Sequence, residues 1–385
     1  MNLTDAPYID YFLGDIREIL PYFQVFPGMA NQIFCLSTTD KGLYHTIMSV
    51  SHFAADTRNN RSLMPAMQHH HKALDVLSRT HNISEGLAIS VALLAWLSIA
   101  QCNRKDADVH LRGLHVIFQE IDKGSQNASG HSVLLMQILR FSIHLDTLAS
   151  IIFAPRTPVF AAVPTTEDNL HCEWVQQSTA SPQVAEWTVA SFALDNLFHR
   201  ASHVATKAWH LRNTNSPSTE AYISKSIHEL RVEHVAWASR DLVRQARDTE
   251  DKAPHNLSSP ASTTQFLNYP PVRISNHAYG NLMATWHALD ILIDLIETPE
   301  IGPLDRRSPR FQSAVEICRY WCSLRRSGMF SFGKRLALFL TGVAFGGEKR
   351  SPLETRWLNS WLSDGIADYF PLNRKAPVYC HDYPN

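Results

Sequence analysis

The chain has 385 residues and a formal net charge of −1, with 45% apolar and 18% charged residues. That apolar content excludes wholesale disorder, and a charge near zero excludes a protein that coats nucleic acid over its whole surface. The length allows two or three ordinary domains or one large helical one.

The first residues, MNLTDAPYIDYF, carry no basic region followed by a continuous apolar run, and they include acids. They read as neither a secretory signal nor a transit peptide. Segment 8–24 places Ile9, Phe12, Ile16, Ile19 and Leu20 at helical spacings. Helices are expected at 41–57 and at 65–80, the second opened by Pro65. Asn82 and Glu85 form an expected capping pair for a helix running through Cys102. Within it, 87–100 is the longest apolar run at 14 residues, short of the roughly 20 a membrane span needs, so it is expected to be a core helix. The next helix, 106–122, carries the stripe Leu111, Leu114, Phe118, Ile121 and closes at Lys123-Gly124. Segment 131–153 is apolar over most of its circumference and is expected to be central.

Residues 155–186 hold several prolines without a period and read as an irregular crossing between two helical halves, about 8–154 and 187–370. Helices follow at 187–211 and 217–250, a polar Pro-rich loop at 251–275, and helices at 277–297, 309–327, 333–345 and 352–369. Ser216-Pro217, Ser308-Pro309 and Ser351-Pro352 repeat one device, an N-cap followed by proline, and Glu354 is expected to complete a capping box in the last. The fold class is therefore all-α: a large bundle or array of roughly ten to twelve helices in two packed halves.

The six cysteines are scattered, which points to a reducing compartment, and Cys318 and Cys322 read as two buried thiols on one helix face. Among twenty histidines the most ordered arrangement is Asp195, His199 and His203, at successive four-residue steps. It could offer two imidazoles and a carboxylate to a divalent metal, against the alternative of a His-rich polar face. His69, His70 and His71 are consecutive and point in three directions, so they cannot converge on one ion. The HExxH zinc motif fails in His228-Glu229, because Val232 stands where the second histidine belongs, and His234 reads as a core histidine beside Ile227, Leu230 and Trp237. No GxGxxG, P-loop or GxSxG occurs, so no catalytic residue is named and the chain is not read as an enzyme. Residues 304–350 carry a net charge of +7 against −8 for the remainder, which points to an internal contact, an acidic partner or a solvated surface.

Three pieces stand close together between Gln68 and Phe118: HHHKALDVLSRT at 69–80, EGLAISVALLAWLSIAQ at 85–101 and DADVHLRGLHVIF at 106–118. With them the stretch resembles the fungal-specific transcription factor domain, the regulatory region of zinc-cluster regulators. His110, Arg112 and Gly113 are the most specific positions, the glycine being expected to allow close helix packing. YIDYFLGDIREILPYF at 8–23, RFSIHLDTLAS at 140–150 and KRLALFLTGVAFGG at 334–347 extend the similarity over most of 8–370.

The resemblance implies one regulatory domain over 1–385, without catalysis, located in the nucleus and controlling metabolic or secondary-metabolite genes. The partners it implies are the transcription machinery or another zinc-cluster regulator, a small-molecule effector, and a second copy of the chain in a homodimer. The alternatives are a dimerising scaffold or repressor that titrates a zinc-cluster regulator, and a helical metabolic enzyme. Full-length members also carry two cysteine triplets of the form C-x2-C-x6-C. Here Cys35 and Cys102 stand 67 residues apart, so no zinc cluster and no other cofactor is expected in this chain. DNA would be reached only indirectly or through an N-terminal module that the chain lacks.

Overall fold

The computed structural model describes residues 5–14, 28–59, 61–80, 82–125, 132–154, 156–161, 182–212, 217–251, 272, 277–299, 305–324, 333–346 and 352–363. Every regular element among them is helical, and there are fourteen helices rather than ten to twelve. The surplus has two sources. A short helix, α2 (Met29–Ser37), follows α1 (Ala6–Gly14), and the single helix expected over 217–250 is two, α9 (Pro217–Ala238) and α10 (Asp241–Asp251).

α2 starts at Gly28, whose φ of 91° is the left-handed backbone that glycine adopts without strain. The α9–α10 break has no Gly or Pro to announce it. Ser239 turns its hydroxyl back onto the Val235 carbonyl (3.1 Å), and Arg240 N–H bonds Trp237 O at 3.2 Å, one residue short of helical register. Asp241 then supplies an acidic first turn for α10.

The chain divides into two compact units, one built on Met1–Ala149 and the other on Ser150–Ser360. In the first, α3 (Lys41–Arg58) is the hub, packed by α1, α2, α4 (Met64–Ser78) and α5 (Glu85–Ala100), and α6 (Arg104–Ser125) packs on α5. Asp40 caps α3 by accepting from Leu43 N–H (3.0 Å). α5 is buried on nearly every side, as its composition predicts, and Trp96 is inaccessible to solvent. It ends at Ala100, before the expected Cys102, and its N-cap is Ser84 rather than Asn82.

Asn103 N–H reaches Ser98 O (2.8 Å) and Cys102 N–H reaches Ile99 O (3.0 Å), the paired bonds of a Schellman cap, with Cys102 at φ 55° in the place glycine usually takes. Asn103 then opens α6 through a reciprocal pair with Asp106. α7 (Val133–Ile152) is long and apolar enough to cross a membrane by length and composition, and 78% of its most apolar window is buried inside the protein.

In the second unit the hub is α11 (His277–Glu297), packed by α8 (Pro182–Arg212), α9, α12 (Pro309–Leu324) and α13 (Gly333–Phe345). Ser308 caps α12 as predicted, accepting from Phe311 N–H (3.3 Å). α14 (Pro352–Ser363) begins at the expected proline, but Glu354 faces inward, where its buried carboxylate accepts from Arg306 (2.8 Å). Ser216 and Ser351, the expected helix over 15–24, and most of the expected crossing (155–186) and loop (251–275) lie outside the described residues.

Candidate functional site

The side chains that sequence spacing singled out occupy three different environments. His199 and His203 sit on the inner face of α8, and both Nε2–H groups donate to the Phe160 carbonyl, at 3.2 and 2.9 Å. Their Nε2 atoms are 3.3 Å apart. Asp195, one turn earlier and half-buried, does not come close enough to form a three-ligand set with them among the described residues. The pair thus spends its donors on a main-chain oxygen.

His110 lies half-buried on α6 near His70, and burial first, then that neighbour, pushes it down to about 4. Arg112 is exposed. A Cβ on Gly113 would stand 3.8 Å from Val91 of α5, an ordinary contact, so this glycine is not forced by a close approach. Among the described residues the tightest glycine is Gly86 at the start of α5, where a Cβ would collide with the Asp40 carboxylate.

Among the described residues the densest assembly of chemistry-bearing groups lies in the first unit, around α3. His45, Ser49, His52 and Asp56 follow one another at steps of four, three and four, which aligns them on one face. Ser49 donates to Ala66 O (3.0 Å) and fixes the entry of α4 against α3. α4 brings His69 alongside: its Nδ1 is 3.1 Å from His45 Nδ1, and its ring stacks on His52 with centroids 5.5 Å apart. α1 and Asp5, the residue just before it, close the other side. Tyr8 stacks on His52 at 3.5 Å and donates to Asp56 Oδ1 (3.0 Å), while Tyr44 donates to Asp5 Oδ2 (2.7 Å). The other Asp56 oxygen accepts from His52 Nδ1 (3.3 Å).

One nitrogen of His52, one of His69 and a carboxylate oxygen of Asp5 lie within 4.8 Å of one another. Asp5, His52 and Asp56 are buried, and His45 and His69 are half-buried. Burial pushes His69 down to about 4, and it lowers His45 as well, with Lys72 adding to the effect. Burial, followed by the Asp5 carboxylate, pushes the Tyr44 phenol up to about 12. The imidazoles His45 and His69 are neutral near neutral pH and keep a lone pair each.

Of the three adjacent histidines, His69 faces α3, whereas His70 lies with its ring 6.2 Å from that of His71 and close enough to His110 to act on it. The sequence carried a signal for the cluster in the polar i, i+4, i+7, i+11 row of α3. Tyr8 and Asp5, distant in sequence, gave no such signal, and Tyr44 stands next to His45 but outside that row.

Among the described residues the cysteines form no six-thiol set: Cys35 and Cys102 are exposed, and Cys318 and Cys322 are buried in α12. His234 is a satisfied core histidine, as its stripe predicted. Its Nε2–H donates to Trp286 O (3.0 Å), Trp286 Nε1–H donates to His234 O (3.0 Å), and the rings stack at 4.2 Å. No curated protein and no solved structure matches the chain. The model of the fungal specific transcription factor domain matches residues 7–359, running from α1 into α14 through both helical units. The chain belongs to the fungal-specific transcription factor domain family.

Proposed function

We propose that this chain is the regulatory, non-catalytic region of a fungal transcription factor, acting in the nucleus to set the expression of a metabolic or secondary-metabolite gene set. The observation that carries this reading is the family match, which spans residues 7–359 rather than one motif. Two helical units, each packed around one hub helix, give a physical basis for control. A ligand or partner that binds one arrangement of such a unit more tightly than another shifts the population between them. DNA is reached through another module or another regulator. Deleting the gene and comparing transcript profiles across growth conditions tests the reading. A defined set of genes changes if it holds, and an unchanged profile under all conditions overturns it.

A second reading, a dimerising scaffold that titrates a zinc-cluster regulator, is favoured by one surface feature. Val109 and Val116 stand one heptad apart on α6 and are 67% and 54% exposed. Under this reading the chain co-purifies with a zinc-cluster protein, and Val116→Glu abolishes the association.

A further inference from the structure

We propose that Asp5, His52 and His69 form a binding site for one divalent first-row transition-metal ion of the zinc class, which ties the N-terminal turn to α3 and α4. Three elements that are distant in sequence bring two imidazoles and a carboxylate to one point, with ligating atoms within 4.8 Å of one another. Ligands on a tetrahedral ion at bond lengths of about 2.0–2.1 Å stand roughly 3.3 Å apart, so closure needs side-chain adjustment rather than helix movement.

The groups behind the ligands make the stronger case. A metal-bound histidine characteristically donates its other ring N–H to a carboxylate or similar acceptor, which fixes ring and tautomer. His52 does this through Nδ1 to Asp56, itself held by Tyr8, which leaves the lone pair on Nε2. His69 has His45 at its Nδ1, and an ion on the far nitrogen selects the tautomer in which His69 donates. The Asp5 carboxylate is oriented by Tyr44. Each ligand thus has its own supporting partner, whereas His199 and His203 share one carbonyl, that of Phe160.

The donor set also selects the ion. Two imidazoles with one carboxylate suit zinc, cobalt, nickel or iron(II). Calcium and magnesium demand more oxygen, and copper(I) prefers sulfur. This inference goes beyond the regulatory reading and stands apart from it, since the purified chain tests it without any promoter.

The test strips the full chain with a chelator and titrates it calorimetrically with zinc chloride near neutral pH, with cobalt(II) visible absorption as a second readout. The expected result is saturable binding of one equivalent. His69→Ala truncates a half-buried ligand, and Tyr44→Phe removes only the hydroxyl that orients Asp5. Each should weaken binding by about 10-fold or more, whereas His203→Ala leaves it unchanged. Absence of saturable binding, indifference to both variants, or loss on His203→Ala instead overturns the proposal. Should a variant fail to fold, the wild-type chain still decides. Its apparent Tm rises with zinc concentration if the folded state holds the ion, and a Tm that zinc leaves flat refutes the site.

Discussion

Two single positions in the first unit carry strain or closeness that the sequence did not advertise. Cys102 holds a left-handed conformation with a side chain attached, which costs an L-residue roughly 1–2 kcal/mol relative to glycine. Cys102→Gly should therefore stabilise the chain by about 1 kcal/mol, read as a higher urea midpoint with unchanged slope. Gly86 is the opposite case. The Asp40 oxygen it faces belongs to a short side chain whose other oxygen caps α3 through Leu43, so the carboxylate cannot swing away without uncapping that helix. Gly86→Ala should cost about 1 kcal/mol, the usual loss for an N-cap, whereas Gly113→Ala has room and should be neutral or stabilising. The family-motif glycine and the sterically crowded glycine are therefore different residues, and packing is what separates them.

Helix starts were legible where chemistry marks them, and breaks were not. Ser308-Pro309 encodes its cap in two adjacent residues, and the apolar circumference of 87–100 announced a buried helix. The α9–α10 junction depends on Ser239 and Arg240, both tolerated inside helices. What breaks the helix there is tertiary: Trp237 is buried and donates through Nε1 to Ala190 O (2.8 Å), fixing the end of α9 on α8. The candidate metal cluster was half legible for the same reason, because α3 supplies its row and the remaining groups arrive through packing.

The basic segment resolves in part into internal contacts. Arg310 is buried and closes the C-terminus of α11, bonding Asp294 Oδ2 (2.6 Å) and Thr298 O (2.6 Å). A lysine offers no planar fork to span both. Arg310→Lys should lower stability by about 1–2 kcal/mol and Arg310→Ala by more, measured by chemical denaturation.

At the scale of the whole molecule, several histidines are held without their proton by partial burial. Burial, reinforced by His234, Arg247 and Arg319, holds His287 down to about 3, and its other close polar neighbour is Ser313, at 3.4 Å from Nδ1. Ser313 in turn donates to Asp290 (2.7 Å). His110 is held down to about 4 in the other unit. The unfolded chain takes up these protons near the ordinary imidazole value of 6.5 while the folded chain refuses them. Between those limits the unfolded state binds more protons, so stability rises with pH. It should be fully present above about 6.5 and decline as pH falls toward 4, with urea midpoints dropping across that window. His287→Phe should flatten part of the decline, and a midpoint independent of pH would contradict the assignment.

The two thiols of α12 have a practical consequence. Cys318 and Cys322 are shut away from solvent, and burial pushes the Cys318 thiol well up, whereas Cys35 and Cys102 stand open. An alkylating reagent should therefore modify the open pair at once and reach the α12 pair only when the second unit breathes. Followed by peptide mapping at these four positions, the lag between labelling of the open pair and labelling of the α12 pair is a built-in stopwatch, reading the opening rate of one half of the molecule without any label being engineered into it.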